Sequence, residues 1–251
     1  MTLAGILFTI AVIVLIYIII RYLFQEASNL TTLLKGEVMT TISANSLATN
    51  ANGNASNFAY SVWFYVSDWN YRYGEHKVLF GRMNSSSSSP TTGSVEGVSG
   101  IDPSPVVLFE STENNILISL GCFPGGNQQP SSNSNAVVHR CKVNNFPIQK
   151  WVNLLISVYG RTLDVYMDGK LVKTCLLPGI AMINQNSNVY LTPGGGFNGY
   201  TSKLQYFPHP INPQQAWNIY TKGYGTNIFN TNYQLKVSFE ENGNVKKSFT
   251  I

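Results

Sequence analysis

The chain has 251 residues, 44% hydrophobic and only 11% charged, against a usual charged share of about 25%. That length suits one β-rich domain with an appendage, or two small domains. The net charge is +4, but the 16 Lys and Arg are scattered singly, with Lys246-Lys247 the only adjacent pair. Without a basic stripe, nucleic-acid binding is excluded as a reading.

The first element is "LAGILFTIAVIVLIYIII", Leu3 to Ile20, an uncharged run of 18 residues closed by Arg21. At about 1.5 Å per residue it covers most of a roughly 30 Å hydrocarbon core. Leu3, Ile6, Leu7, Phe8, Ile10, Val12, Ile13, Val14, Leu15, Ile16, Ile18, Ile19 and Ile20 would face lipid, with Arg21 at the boundary. A cleaved signal peptide wants a basic n-region and a small-residue cleavage site. No Lys or Arg precedes this run, and "YIIIRYLF" is bulky, so residues 1–24 read as an uncleaved membrane anchor. Arg21 and Lys35 follow the span, which places the body on the cytosolic side. Against that, Asn29-Leu30-Thr31, Asn54-Ala55-Ser56 and Asn84-Ser85-Ser86 fit the glycosylation acceptor pattern of a lumenal chain. Of the cysteines Cys122, Cys141 and Cys175, the first two flank one loop and form a candidate disulfide, leaving Cys175 as a buried thiol.

Residues 25–56 read as a stalk. Its first part could prolong the anchor helix, with Leu23, Leu30 and Leu34 near one face and Gly36 as stop, and the small, polar remainder holds one strand-like piece, "EVMTTIS". Strands follow. "NFAYSVWFYVSDW" alternates, with Phe58, Tyr60, Val62, Phe64 and Val66 on one side. "HKVLFGR", "PVVLFE", "NILISLGC" and "AVVHRCKV" are further strands, separated by a turn at 112–115 and by Ser- and Asn-rich loops at 84–105 and 123–135. A Gly160-Arg161 turn and a type I′ turn at Asp168-Gly169 define a meander of strands 152–159, 162–167 and 170–176. In that register Val158 faces Leu163, Ile156 faces Val165, Leu154 faces Met167 and Val165 faces Val172, all on the core side. Asn153, Tyr159, Asp164, Tyr166 and Lys173 lie on the other side, with Asp164 opposite Lys173. Two strands flank Gly194-Gly195-Gly196. Next comes a helix with Asn212 as N-cap, Pro213 at N1, Trp217 and Tyr220 buried, and Gly223 as stop. The last element, 224–251, is a hairpin packed on the body. A three-residue turn there sets Val237 opposite Phe249, Leu235 opposite Ile251 and Glu240 opposite Lys246. Many short strands and one helix make the body, 57–223, an all-β antiparallel sandwich.

The order of these motifs resembles the laminin-G-like, concanavalin A-like jelly rolls. The resemblance is carried by Trp151 ahead of a strand, the Leu163–Lys170 hairpin, the Asn198–Phe207 strand and the Pro213–Gly223 helix. It departs at "GYTSKLQYF", where the family often has an acidic pair. The architecture of anchor plus jelly roll, with few charges, also resembles virion proteins of large DNA viruses. That resemblance implies a minor capsid protein between an internal membrane and the shell, with the bilayer and other capsid or membrane proteins as partners.

Chemistry is sparse. A retaining glycosidase needs two carboxylates about 5–5.5 Å apart. Glu110 and Glu113 straddle a turn, and Glu240-Glu241 point to opposite faces. Asp168 is a weak calcium candidate, better explained as the turn residue. His76, His139 and His209 have no zinc spacing, so no cofactor is implied. The sequence therefore reads as a non-enzymatic membrane-anchored interaction protein, a capsid linker or, alternatively, a glycan-binding lectin-like module. The candidate binding face is Asn153, Tyr159, Asp164, Tyr166 and Lys173, joined by Tyr71 and Tyr73 in the loop "WNYRYGEH".

Overall fold

The computed structural model describes residues 29–47, 56–83, 103–125, 136–183, 185–225, 236–241 and 244–250, together with Val12 and Leu15. The chain falls into two compact units: Phe24–Tyr224, and Met1–Leu23 with Gly225–Ile251. The first unit is a two-sheet sandwich. Sheet A has the order β1 (Leu34–Lys35), β12 (Asn198–Phe207), β3 (Phe58–Asp68), β8 (Trp151–Tyr159), β9 (Thr162–Met167), β10 (Lys170–Leu176). Sheet B has β2 (Thr40–Ile42), β11 (Val189–Leu191), β4 (Lys77–Arg82), β5 (Val106–Phe109), β6 (Ile116–Cys122), β7 (Val137–Val143). All pairings are antiparallel. The chain crosses between sheets from β1 to β2, β2 to β3, β3 to β4, β7 to β8, β10 to β11 and β11 to β12, the connectivity of a jelly roll.

Alternation drives this arrangement. Phe58, Tyr60, Val62, Phe64 and Val66 of β3 all enter the core between the sheets, as the period of two requires. From the facing sheet come Leu79, Val107, Phe109, Ile116, Ile118 and Leu120. Each such side chain contributes about 1.5–3 kcal/mol when taken fully out of water. Aromatic rings fill one end, where Phe109 and Phe146 lie 4.7 Å apart and Phe64 meets both.

The β8–β9 register is the one expected, with Leu154 opposite Met167, Ile156 opposite Val165 and Val158 opposite Leu163. Asp168 (φ 50°) and Gly169 (φ 74°) are both left-handed, as a type I′ turn needs. β10 departs from expectation. A bulge between Leu171 and Lys173 shifts the ladder by one, so Lys173 faces Val165, Thr174 faces Asp164 and Cys175 faces Leu163. Val172 is therefore the unpaired bulge residue and is exposed rather than in the core. Asp164 accepts a 2.6 Å hydrogen bond from Thr174 Oγ1 and does not pair with Lys173.

The disulfide is corrected as well. Moving the ladder by one brings Cys175 to the core-facing side, opposite Leu163. There it bonds Cys141 of β7, with Cα atoms 6.1 Å apart. Cys122, the expected partner, is a buried free thiol, which burial pushes up to about 11. The bond ties β7 to β10, so it joins the two edge strands on one side of the sandwich. On the other side the edges are β1 and β2, joined by Gly36–Met39.

Two further expectations are corrected here. Residues 34–42, read as stalk and in part as a prolonged helix, supply an edge strand to each sheet. Asn29 forms a bridge to Gln205 rather than continuing a helix. The helix itself, α1 (Pro213–Thr221), has the expected start: Asn212 and Gln215 form a capping box, and Pro213 opens the first turn. It buries Ala216 and half-buries Ile219 and Tyr220, whereas Trp217, expected inside, is exposed.

No helix among the described residues is long and apolar enough to cross a membrane. The run Leu3–Ile20 lies outside the described residues except for Val12 and Leu15, both helical and exposed. The second unit contains the hairpin β13 (Lys236–Glu241) and β14 (Asn244–Thr250). Val237 faces Phe249 as expected, but a bulge between Phe239 and Glu240 sets Glu240 opposite Val245, not Lys246. Glu241 then pairs with Asn244, leaving a two-residue connection. Leu235 and Ile251 lie outside the described residues.

Candidate functional site

The outer face of sheet A, the face chosen from sequence, is not open. Ala59, Leu155 and Tyr166 pack there against Ile211 and Ala216, with Phe207 and Ile219 alongside. Asn153 is fully buried and donates through Nδ2 to Ser61 Oγ at 3.0 Å. Ser157 Oγ accepts from Ile211 N–H at 2.8 Å, fixing the segment that leads into α1. Trp63 stacks on Tyr220, and Trp151 stacks on Tyr224 with ring centres 4.3 Å apart. This is a second small core, formed because α1 covers the strands. Asn153 and Tyr166 are thereby removed as binding residues. Asp164, Tyr159 and Lys173 remain accessible at its margin.

Asp168 is committed as well. Its Oδ1 accepts from Asn153 N–H at 2.9 Å, and Lys150 Nζ lies 3.4 Å from Oδ2. Both carboxylate oxygens thus serve the turn, and among the described residues no group of three His, Cys, Asp or Glu converges as a metal site would. Tyr71 donates to Gly195 O, and Arg72 binds the Gly194 and Gly196 carbonyls and the Glu75 carboxylate. That loop is pinned to the triglycine connection, and only Tyr73 of the two tyrosines is exposed.

A different place is open. At one end of the sandwich the β3–β4, β5–β6 and β7–β8 connections and the end of β7 border a wide, open pocket of about 810 Å³. It is lined by Trp69, by Thr112, Glu113, Asn114 and Asn115, and by Lys142, Asn144, Asn145 and Ile148. Its base is a closed polar network. Buried Asn115 donates through Nδ2 to Glu110 and Glu113, and its Oδ1 accepts from Asn145 N–H at 3.0 Å. Lys142 Nζ lies 2.8 Å from Glu110 and 3.7 Å from Glu113. Asn114 and Phe146 exchange hydrogen bonds of 2.7 and 2.9 Å. Asn145 and Gln149 are left-handed, with φ of 57° and 56°, a conformation Asn tolerates.

Trp69 donates from Nε1 to Thr112 O at 3.3 Å and packs on Phe146. Buried Lys77 sets its ammonium 4.5 Å from the Trp69 ring centre, a cation–π contact. Burial, reinforced by Arg72, lowers the Lys77 pKa. Glu110 is also perturbed, held below the usual carboxylate range chiefly by its hydrogen bond from Lys142. The two glutamates that only straddle a turn in the sequence are thus brought together on one amide and one ammonium. A general acid needs a raised pKa, and Glu110 is pushed the other way.

No family model and no curated protein matches this chain. Among solved structures it is similar to the binding domain of botulinum neurotoxin DC in complex with rat synaptotagmin II, at 13% identity and a TM-score of 0.49 over 76% of this chain. The botulinum neurotoxin serotype G binding domain is similar at 14% identity and a TM-score of 0.46 over 75%. A further match is the botulinum neurotoxin DC binding domain in complex with SialylT, at 11% identity and a TM-score of 0.48 over 76%. The chain spans less than half of each of these, 42%, 46% and 44% respectively.

The sequence did not reveal this pocket. Its lining comes from three connections far apart in the chain. Asn-rich turns read locally as turn formers, so "STENN" and "VNNF" gave only a turn signal. The usable hint was the excess of Asn in two connections beside a Trp-ended strand.

Proposed function

We propose that this chain is a non-enzymatic recognition module displayed from a membrane by its Leu3–Ile20 segment. The observation that carries the reading is the end pocket: open, bordered by loops that a polar network holds in place, and lined by side chains that can hydrogen-bond and pack on a ligand. Preorganised loops lose little freedom when they bind. The full-length chain, reconstituted in liposomes, should bind cultured cells, and Asn144→Ala with Ile148→Ala should reduce that binding at least tenfold. Equal binding by both forms overturns recognition through this pocket. Turnover of fluorogenic glycosides that Glu113→Gln abolishes overturns the non-enzymatic part. Carbonate extraction tests the anchor: the full chain should stay with membranes, and a chain lacking residues 3–20 should not.

A second reading, a minor capsid protein linking an internal membrane to a shell, is favoured by the β10 edge. Leu171, Val172 and Leu176 are exposed there, and so is Tyr159 at the end of β8, a surface suited to protein contact. Crosslinking from Leu176→Cys in assembled particles should then capture a shell protein; particles that contain the chain without such a crosslink remove this reading.

A further inference from the structure

We infer that the end pocket takes a neutral saccharide and discriminates against acidic ones. The inference rests on the pocket being the recognition site. Three features of the lining point to a hydroxyl-rich, uncharged ligand. First, Asn144 and Asn145 are exposed and both line the pocket. Each amide offers two donors and an acceptor, the mixture that vicinal hydroxyl groups need. Second, Trp69 and Ile148 supply apolar surface beside those amides, and sugar rings present C–H faces between their hydroxyls. Third, Lys142 is the one cationic side chain in the lining among the described residues, and it already serves Glu110 and Glu113. A carboxylate or sulfate on the ligand would find no free cation, and would sit near two carboxylates.

The loop geometry adds to this. Residues 144–149 are held by Asn145 N–H to Asn115 Oδ1, Phe146 N–H to Asn114 O and Gln149 N–H to Val66 O. The amides are thus carried on a fixed backbone rather than recruited on binding.

The test uses the full-length chain in nanodiscs on an array of neutral, sialylated and sulfated glycans, with hits titrated by tryptophan fluorescence. Neutral glycans should bind, and Asn144→Ala with Asn145→Gly should weaken them at least tenfold. Glycine keeps the left-handed backbone at 145, and an unchanged urea midpoint confirms that the variant folds. Binding confined to acidic glycans, or to none, overturns the inference but leaves recognition by the pocket to the cell-binding comparison. Neutral binding that the double variant leaves intact overturns the assignment of the sugar to this site. Loss of pocket-dependent cell binding, by contrast, overturns the recognition reading itself.

Discussion

The outer face of sheet A and the end pocket hold similar side chains: asparagines, an aromatic and a few charges. One is packed and the other is open. The difference lies in what comes next along the chain. After β12 the chain turns into α1 and lays Ile211, Ala216 and Tyr220 over Asn153, Trp63 and Tyr166. Nothing described folds back over the β5–β6 and β7–β8 connections. Polar residues on a strand therefore identify a surface only when no later element covers it.

The comparison can be broken most severely at Tyr166. Tyr166→Ala empties the covered face and should cost about 3–5 kcal/mol in urea unfolding, while a value below about 1 kcal/mol would mean that the face is not a core. Next is the clip between sheets. Cys141→Ser with Cys175→Ser should cost about 2–4 kcal/mol. In denaturant without reductant, the native chain should show one reactive thiol, that of Cys122; three would refute the bond. Asn115→Ala should cost about 1–3 kcal/mol and release the pocket loops, read as faster amide exchange at Asn145.

A pH effect is subtler. The Glu110 pKa is depressed in the fold, so its stabilisation is present above its ordinary value of 4.5 and is lost as pH falls through the lower folded value. Lys142→Met should flatten that acid limb of the stability curve. Smallest of all, Asn144→Ala should change stability by less than about 0.5 kcal/mol while changing binding, the reverse of Tyr166→Ala.

Much of the sandwich was legible because alternation is a local signal. The β3 stripe and the β8–β9 register follow from residues two apart, and the Asp168-Gly169 turn fixes the hairpin. The bulge was not legible: Leu171 and Val172 are adjacent apolar residues, so an extra residue at 172 leaves no mark in the pattern. The disulfide was misread on another ground: Cys122 and Cys141 flank one loop in the sequence, whereas the bond joins the edge strands of two sheets, Cys141 of β7 to Cys175 of β10. In the terminal hairpin another bulge hid the turn length in the same way. Of the edge strands, β2 (Thr40–Ile42) falls in the strand-like piece "EVMTTIS", while β1, of two residues, is too short for any periodicity to declare. The pocket eluded the sequence because no local pattern joins Trp69, Glu110 and Asn144.

The two sides of the sandwich also differ as mechanical joints. On one side, β1 and its flanks are held to β12 by a run of non-covalent pairs, Leu34 opposite Thr201, Lys35 opposite Tyr200, the Asn29–Gln205 bridge, and Leu30 and Gly36 N–H donating to Leu204 and Gly199 O, while the far side is closed by a covalent bond. A pull on residue 29 would open those pairs one after another and draw Leu30 and Leu34 off the core, and the cystine would stop the sheets from sliding apart at the other seam. The body thus zips one seam and rivets the other.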